Sequence, residues 1–519
     1  MKTTLGSVGV TLAAVTGLAA VLGTGSAALA QEERTPDALF QQIVRETTAT
    51  IAKDGAGELF GWNVSYYAGG FVAGYQRTKD TAWLDGAQKV SEYCISKMRA
   101  GPDGYKGWVG EDQTDRGTWA DTHVGDAIIV AHMLSFSELV LKDPELKKKY
   151  GDAAQKYVDL ARRELFEKWE KRGTWKEDRA WGCYVAWDMN CTQAHPDVWK
   201  KDTMPCINLP FNKNNSLGVC ALRLYRITGD DKWRDHAFKI FAFTKSRFQL
   251  VDEAGFSYYN WDYWEAFGPE SVDLAKHDTR HWMNVHPGRP YAAGEVGQMV
   301  EAYNTGVVFD KTDIERFINT NLKIMWNGDK ANPHYSNSNW KLPMPLGPDG
   351  KPLPPEVNSA AARLWTGLSQ FSQEIRDLEG GRGGRGRRPA ADRPITFDRL
   401  YCAEKDAKIF DWPYYHSCKS LTVAAVLPSI VKKGNSAILL CKARTPQDPF
   451  EIALYSADGK EKILVIHQGK IDGGLDGHAG IFILPWDPAS NKDTPLKGDY
   501  RVRWTGVDGF REFPLTITE

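Results

Sequence analysis

A nine-residue stretch that occurs twice decides the fold: Tyr75 to Trp83 reads YQRTKDTAW, and Tyr225 to Trp233 reads YRITGDDKW. Both copies keep Tyr, Thr, Asp and Trp at the same spacing, between two segments whose apolar residues recur at helical intervals. The Asp can cap the second helix, and the Trp can fix the turn. The repeat therefore predicts helical hairpins, whose apolar faces must be buried by neighbouring hairpins.

The same pattern extends over the first two thirds of the chain. A looser third copy runs from Gly294 to Phe317, with Asp310 or Asp313 at the turn. In total about ten helices are expected between residues 31 and 378. Three long aromatic loops separate them, at 105–121, 175–212 and 255–290. Loops of this length in a compact helical domain are usually functional or disordered, and their Trp, Tyr and Cys content favours order.

The N-terminus and the overall charge indicate where the protein works. Residues 1–30 have Lys2, an apolar segment and a cleavage-like Ala28-Leu29-Ala30, which predicts a signal peptide and a secreted or periplasmic protein. The alternative, an uncleaved anchor, is disfavoured by the Gly, Ser and Thr content, and no later stretch is expected to insert stably in a membrane. The formal net charge of −1 provides no field for binding nucleic acid.

The cysteines fit an oxidising compartment, but their spacing leaves the pairing open. Cys183 with Cys191 or Cys206, and Cys402 with Cys418, are local candidates, while free buried thiols are the alternative for all eight. The absence of CxxC spacing argues against a zinc or iron–sulfur site.

At Glu379 the composition changes. Residues 379–418 form a Gly/Arg-rich linker and an aromatic bridge. From 419 to 519, seven short segments alternate apolar and polar residues, which predicts an antiparallel β-sandwich of the immunoglobulin-like class. Its expected role is support or attachment.

The stretch from Tyr258 to Glu295 combines several Tyr and Trp rings, from Tyr258 to Trp282, with acids, imidazoles and guanidinium groups. Rings stack on sugar faces and charged groups grip hydroxyls, so this composition favours a sugar-binding pocket. A well-packed surface loop is the alternative.

The duplicated hairpin, the aromatic loops and the YYNWDYWE segment from Tyr258 to Glu265 resemble the (α/α) toroid, or six-hairpin, superfamily of carbohydrate-active enzymes. That superfamily includes polysaccharide lyases, uronate epimerases and glycoside hydrolases, often with a β-sandwich after the toroid. The resemblance covers residues 36–378. It implies a mainly α, (α/α) toroid fold, and because the helix count falls short of twelve, an incomplete ring is expected. No catalytic motif of one family transfers residue by residue.

Two reactions are compatible with the residues in these loops. Elimination from a uronide needs a base, an acid and a group that holds the carboxylate, and His281 or Tyr263 is the favoured base or acid. Hydrolysis needs two carboxylates across the glycosidic bond. The catalytic candidates are Tyr263, His281, Asp278, Glu265, Asp121 and His123. The substrate-binding candidates are Asn214, Asn215, Tyr259, Trp261, Trp264, Arg280, Arg289 and Glu295.

The expected activity is therefore cleavage or remodelling of a polysaccharide, preferentially an acidic one, with lyase-like chemistry ahead of hydrolysis. No cofactor is expected. A divalent ion held by Asp278, His281 and His286 is a minor alternative, because no metal-site spacing supports it. A non-catalytic carbohydrate-binding or scaffold protein is the third possibility, since the fold alone does not establish catalysis.

Overall fold

The structure is a computed structural model. It describes residues 35–113, 117–203, 205–281, 283, 291–337, 363–380, 420–443, 448–470, 481–490 and 497–519. The predicted signal peptide and linker, the bridge with Cys402 and Cys418, and the candidates His286 and Arg289 lie outside the described residues.

The helical part follows the predicted order. Its α-helices are α1 (Pro36–Asp54), α2 (Glu58–Thr78), α3 (Ala82–Ile95), α4 (His123–Lys142), α5 (Pro144–Leu160), α6 (Lys168–Lys171), α7 (Phe211–Thr228), α8 (Asp231–Ser246), α9 (Tyr291–Asn304), α10 (Lys311–Asn319) and α11 (Gln373–Gly380). π-Helical turns continue α5 over Ala161–Glu167 and α10 over Thr320–Met325, and 3₁₀ turns occur at Pro269–Ser271 and Thr366–Leu368.

Helices α2, α4, α7 and α9 form an inner row of parallel neighbours. Parallel packing is shown by contacts in which both residue numbers rise together along each pair. Between α2 and α4 the contacts are Gly61 with Gly125 and Gly69 with His132. Between α7 and α4 they are Cys220 with Ala127 and Arg226 with Glu138. Between α7 and α9 they are Ser216 with Gln298 and Arg223 with Glu301. The N-terminal ends of all four helices therefore lie at one end of the row.

Outer helices cover the inner row. α3 and α5 lie side by side, joined by ion pairs from Lys149 to Asp85 (2.9 Å) and from Lys156 to Glu92 (2.6 Å). The charged face of α5 is thus an outer one, as its composition predicts. Inner helices that are each connected to antiparallel outer ones form the arrangement of an (α/α) toroid. In the described part of the chain the inner row has four members, so the ring there is incomplete.

The duplicated turn has the predicted capping. Asp80 accepts a hydrogen bond from the Ala82 amide (2.9 Å), and Asp230 accepts one from the Lys232 amide (3.0 Å). In the third copy both predicted aspartates act together, because Asp310 and Asp313 form a reciprocal capping box.

The described residues of the long loops between helices form short antiparallel hairpins. Their strands are β1 (Arg99–Ala100), β2 (Lys106–Gly107), β3 (Val109–Glu111), β4 (Trp119–Asp121), β5 (Trp175–Asp178), β6 (Trp181–Tyr184), β7 (Met189–Asn190), β8 (Lys200–Lys201), β9 (Gln249–Glu253), β10 (Phe256–Asn260), β11 (Val272–Asp273) and β12 (Asp278–Thr279). These connections lead into the N-terminal ends of the inner helices.

Helix α4 corrects one expectation about membranes. Within the described residues, α4 alone is long and apolar enough to cross a bilayer, although no such stretch was expected after the N-terminus. Most of its apolar surface is buried by α2, α5 and α7, which is how a central helix of a folded domain looks.

The C-terminal part contains two sheets. Its strands are β13 (Leu421–Leu427), β14 (Ile430–Lys432), β15 (Ala437–Ala443), β16 (Pro449–Ser456), β17 (Lys462–Lys470), β18 (Ile481–Trp486), β19 (Gly498–Gly506) and β20 (Gly509–Thr518). One sheet has the order β13-β15-β18 and the other β14-β20-β19-β16-β17. All seven predicted strands are present. β14 was not predicted, and because it pairs parallel to β20 the part is not purely antiparallel.

The three-stranded sheet is buried on both faces. Alternate residues such as Ala424 and Leu439 join the large core cluster, while Val423 and Leu440 pack with Tyr263 and other residues of the third long loop. Burial on both faces explains why β13 and β15 read as almost continuous apolar runs.

Polar contacts also join the two parts. At the tip of the β5–β6 hairpin, Asp178 accepts hydrogen bonds from the amide (3.1 Å) and hydroxyl (2.6 Å) of Ser429. Arg179 donates to Ser429 and to Thr516. The C-terminal sheets are therefore packed onto the helical part and are more than a tethered accessory.

The six described cysteines are free thiols. Cys183 is bonded to neither Cys191 nor Cys206, so the candidate pairing within the second loop is wrong. The candidate pair Cys402–Cys418 lies outside the described residues.

Candidate functional site

The N-terminal ends of the inner helices bring a set of polar side chains together. Glu58 is the first residue of α2, Asn212 and Lys213 lie in the first turn of α7, and Glu295 lies near the start of α9. Tyr263, from the third long loop, lies among them. We refer to Glu58, Asn212, Lys213, Tyr263, Tyr291 and Glu295 as the helix-end site.

Glu58 forms a buried ion pair in this site. Its Oε2 accepts a hydrogen bond from the Lys213 ammonium (2.8 Å), and its Oε1 accepts one from the Trp62 indole (3.1 Å). The carboxylate is almost fully buried and the lysine is largely so. Removal of either partner would leave an uncompensated buried charge.

Glu295 has the opposite environment. It is completely buried and accepts one hydrogen bond, from the Trp261 indole to Oε2 (2.7 Å), while Oε1 has no partner among the described residues. Burial raises the pKa of Glu295 to about 8, although Trp261 and the Asn212 amide act in the opposite direction. Glu295 is therefore protonated at neutral pH.

Both carboxyl groups act electrostatically on Tyr263. Burial raises the pKa of the Tyr263 hydroxyl, and the nearby groups Tyr291, Glu295 and Glu58 raise it further. Both carboxyl groups are thus close enough to influence the same phenol. The Tyr263 ring lies 4.8 Å from the Tyr291 ring, measured between centroids.

His281 lies at the exposed margin of this region. Its ring is 5.1 Å from the Trp264 ring, and its backbone adopts a left-handed φ of 60°. Burial and then Lys213 lower the pKa of His281, while Asp112 raises it. The shared influence of Lys213 places His281 on the same side of the molecule as Glu58.

Other predicted site residues serve the core. Asp121 accepts hydrogen bonds from Lys168 (2.9 Å) and Arg172 (2.8 Å) in a buried charge cluster. His123 stacks on Trp169 at 3.7 Å, and burial holds the pKa of its imidazole well below the usual value. Both side chains are enclosed, so a substrate at the helix ends does not meet them directly.

The candidate amides and rings are also used internally. Asn214 accepts a hydrogen bond from the Tyr184 amide, and Asn215 accepts one from the Thr244 hydroxyl. Tyr259 donates to Asp313 (2.6 Å). The Trp264 indole donates to the Asn208 carbonyl (2.8 Å), so these groups hold loops and helices in place.

The remaining described candidates have partners elsewhere in the structure. Glu265 is buried near Arg247, and burial together with Asp262 raises its pKa to about 8. Arg280 donates to the Glu270 carbonyl and to Asp273, which fixes the β11–β12 hairpin. Asp278 accepts a hydrogen bond from the Thr279 amide.

Sequence reasoning did not select Glu58, Lys213 or Tyr291. A signal for them exists in the repeat itself, because residues at the starts of equivalent inner helices must converge at one end. The glycines before α2 are a second signal. A Cβ on Gly57 would lie 2.8 Å from the Gly110 backbone, so only glycine permits that approach.

The described residues contain no group of three His, Cys, Asp or Glu side chains that is arranged to hold a metal ion. The minor hypothesis of an ion at Asp278, His281 and His286 includes a residue outside the described part, so it stays a prediction.

Comparison with known proteins adds little about the reaction. No protein-family model matches the chain, and no curated protein matches it. Among solved structures it is similar to a glycoside hydrolase family 76 mannosidase from Bacteroides thetaiotaomicron, with 15% identity and a TM-score of 0.32 over 52% of this chain and 60% of that one. The chain thus spans 60% of the length of that enzyme.

Two further solved structures are comparably distant. An inactive variant of an α-1,6-mannanase of Salegentibacter sp., in complex with α-1,6-mannotriose, has 14% identity and a TM-score of 0.31 over 66% of this chain and 82% of that one. Cellobiose 2-epimerase from Spirochaeta thermophila has 12% identity and a TM-score of 0.27 over 66% of this chain and 98% of that one. At these TM-scores the likeness does not identify a substrate or a reaction.

Proposed function

We propose that this protein is a carbohydrate-active enzyme that cleaves glycosidic bonds at the helix-end site by carboxylate acid–base catalysis. One observation carries the proposal: two buried carboxyl groups that act on the same tyrosine have different partners. Glu58 is paired with the Lys213 ammonium (2.8 Å), whereas Glu295 has no cation beside it in the described part of the chain and burial raises its pKa to about 8. A carboxyl group held by a cation and one kept neutral by burial are suited to act as the base and the acid of one reaction.

In this proposal Glu295 supplies the proton and Glu58 activates water or attacks the sugar. Glu295 is completely buried, whereas the Tyr263 side chain is slightly exposed. We assign Tyr263 as the group that stands between Glu295 and the substrate, with its hydroxyl relaying the proton to the leaving oxygen. Tyr291 and Trp62, both partly exposed, supply rings for a pyranose face.

We propose a neutral sugar for this site. The uronate preference expected from sequence required a cation to hold the carboxylate. Lys213 is paired with Glu58, and Arg280 is occupied with Asp273 and the Glu270 carbonyl. A sugar carboxylate would also meet Glu58, whose negative charge repels it.

Uronide elimination stays a second candidate, because one observation favours it. His281 is exposed beside Lys213, so a histidine base and a lysine cation lie on the same side of the molecule. Elimination would require Lys213 to exchange Glu58 for the substrate carboxylate.

One assay distinguishes the candidates. The protein is incubated with neutral polysaccharides and with polygalacturonate, and reducing ends and the absorbance of unsaturated products are followed together. Hydrolysis predicts reducing ends without unsaturation, and elimination predicts both. Tyr263→Phe should remove most of the hydrolytic activity if the hydroxyl relays the proton. Full activity in Tyr263→Phe would contradict the relay, and no turnover of any polymer would favour the non-catalytic alternative.

Two features of the sequence belong to the same proposal. We propose that residues 1–30 direct the protein out of the cytoplasm, where polysaccharides are met. The pairing of β14 parallel to β20, with β13 in the opposite sheet, supports an immunoglobulin-like class for the C-terminal part. N-terminal sequencing of the exported protein, expected to begin near Gln31, tests the first point.

A further inference from the structure

A cleft lies away from the helix-end site, where the helical part meets the C-terminal sheets. Its volume is about 630 Å³, which is in the range of ligand-binding pockets. Its walls come from the β5–β6 hairpin and the segments near Trp187 and Glu270, and from Pro428 and Ile430 on the other side. It shares no lining residue with the helix-end site.

One wall of the cleft is a tryptophan in a fixed orientation. The Arg172 guanidinium lies 3.6 Å from the Trp187 ring centroid, and the Trp199 ring lies 5.3 Å away. Arg172 is itself fixed by ion pairs with Asp103 (2.7 Å) and Asp121 (2.8 Å). A ring held in this way loses little conformational freedom when a flat ligand packs against it.

Most of the charged groups that line the cleft have partners. Glu177 accepts a hydrogen bond from Trp175 and pairs with Lys239, and Asp178 is bonded to Ser429. Within the described residues, the side chains of Lys176 and Glu270 have no such partner.

One free ammonium and one free carboxylate fit a ligand that both donates and accepts hydrogen bonds and has no net charge. Sugar hydroxyls do both. An anionic chain would have to lie beside Glu270 and the neighbouring acids, which is unfavourable.

We infer that this cleft is a second carbohydrate-binding site, which holds a stretch of a neutral glycan chain between the two parts of the protein. Trp187 packs against a sugar face, and Lys176 and Glu270 bind hydroxyls. The site keeps a polymer attached while the helix-end site acts on another part of it. The choice of a glycan rests on the proposed function, but binding in the cleft does not require catalysis.

Affinity electrophoresis tests this inference in the Glu295→Gln background, in which turnover is removed and the helix-end site is the same in every variant. Native gels contain galactomannan, mixed-linkage β-glucan, yeast α-mannan or polygalacturonate. The parent should be retarded by at least one neutral polymer and not by polygalacturonate.

Two cleft variants are compared with a control. Lys176→Ala/Glu270→Ala removes the two free charged groups, and Ile430→Trp fills the cleft from an exposed strand position. Each should weaken binding of the neutral polymer about tenfold or more. For the double variant, this is the effect of losing one or two hydrogen bonds. For Ile430→Trp, the added ring occupies the space of the ligand. Lys147→Ala/Glu315→Ala, on exposed faces of α5 and α10, should bind as the parent does.

Three results would overturn the inference: unchanged retardation of both cleft variants, retardation by polygalacturonate alone, and no retardation of the parent by any polymer. A failure of the proposed function is seen separately, as full turnover in the Glu295→Gln protein.

Discussion

Three buried carboxyl groups in this protein have raised pKa values for the same main reason, yet their neighbours differ. Burial raises the pKa of Asp126, Glu265 and Glu295 to about 8 in each case. Asp126 contacts the Lys168 ammonium at 2.5 Å, and Glu265 lies 3.8 Å from the Arg247 guanidinium. Glu295 has no cation beside it within the described residues, so it is the one best suited to stay neutral and donate a proton.

Replacement of Glu295 by Gln should remove catalysis and leave the fold intact. The amide keeps the volume of the side chain and can still accept the Trp261 hydrogen bond, but it has no proton to transfer. We expect the turnover number to fall about 10²- to 10⁴-fold, which is the usual contribution of general acid–base catalysis. Steady-state kinetics and circular dichroism together provide the measurement.

Glu265→Gln is the matched control, because Glu265 is similarly buried and has a similarly raised pKa, but its charged neighbours are Asp262 and Arg247 and not residues of the helix-end site. Its turnover should stay within a few-fold of the parent. A large loss in Glu265→Gln together with a small one in Glu295→Gln would return the sequence-based candidate Glu265 to the site and remove Glu295.

Glu295 also predicts how stability depends on pH. Its folded pKa of about 8 is above its ordinary value of 4.5, so the folded protein binds the proton more tightly than the unfolded chain does. The stabilising contribution is complete below pH 4.5 and is lost as the pH rises towards 8, by about 1 kcal/mol per pH unit.

The measurement is the free energy of unfolding by urea at pH 5 and pH 8. Glu295→Gln lacks this proton, so it should lose less stability than the parent between the two values. Equal losses in the two proteins would show that Glu295 does not have a raised pKa in the folded state.

At the scale of elements, the hairpin turn depends on close packing of a glycine against a tryptophan. A Cβ on Gly74 of α2 would lie 2.3 Å from the Trp83 ring, a distance that no real contact permits. The Asp caps set where the second helix begins, and this contact sets how closely the two helices approach.

Gly74→Ala should therefore destabilise the protein by about 1–3 kcal/mol, because the added methyl group forces Trp83 or the helix to move. Gly69→Ala in the same helix is the control. A Cβ there would lie 3.6 Å from His132, an ordinary contact, and the change should be neutral or stabilising by up to about 1 kcal/mol through helix propensity. Thermal unfolding of both variants decides the point, and equal effects would contradict the packing argument.

The elements were predictable because their signals are local. The first helix runs from Pro36 to Asp54, and the Thr35 side chain before Pro36 accepts a hydrogen bond from the Ala38 amide, which is a local capping signal. The site was less predictable because its contacts are distant in sequence: Lys213 reaches Glu58 across 155 residues. Rings and charges at Tyr259 and Trp261 indicated a pocket, but the same composition also builds a polar core, and these residues are completely or almost completely buried.

At the scale of the whole molecule, the C-terminal sheets are part of the environment of the site. Val423, Leu440 and other residues on one face of the three-stranded sheet pack with Tyr263 and Trp264. The position of Tyr263 therefore depends on a sheet that begins more than a hundred residues after it.

Two neighbouring leucines of β15 separate this role from simple stability. Leu440 faces the third long loop and Leu439 faces the large core, and both are completely buried. Each change to Ala should cost about 2–5 kcal/mol. Only Leu440→Ala should also alter substrate affinity or turnover when both variants are assayed well below their unfolding temperatures. Equal activity of the two folded variants would show that the sheet does not position Tyr263.

The sheet that is buried on both faces also has a consequence for the order in which the protein is made. Ribosomes produce the helical part first, and Tyr263 and Trp264 remain uncovered until β13, β15 and β18 have been synthesised. We expect a chain stalled before residue 420 to have its helices but to leave these two rings uncovered. The helix-end site is therefore completed late, and under the proposed function an unfinished or prematurely terminated chain would not act on polysaccharide.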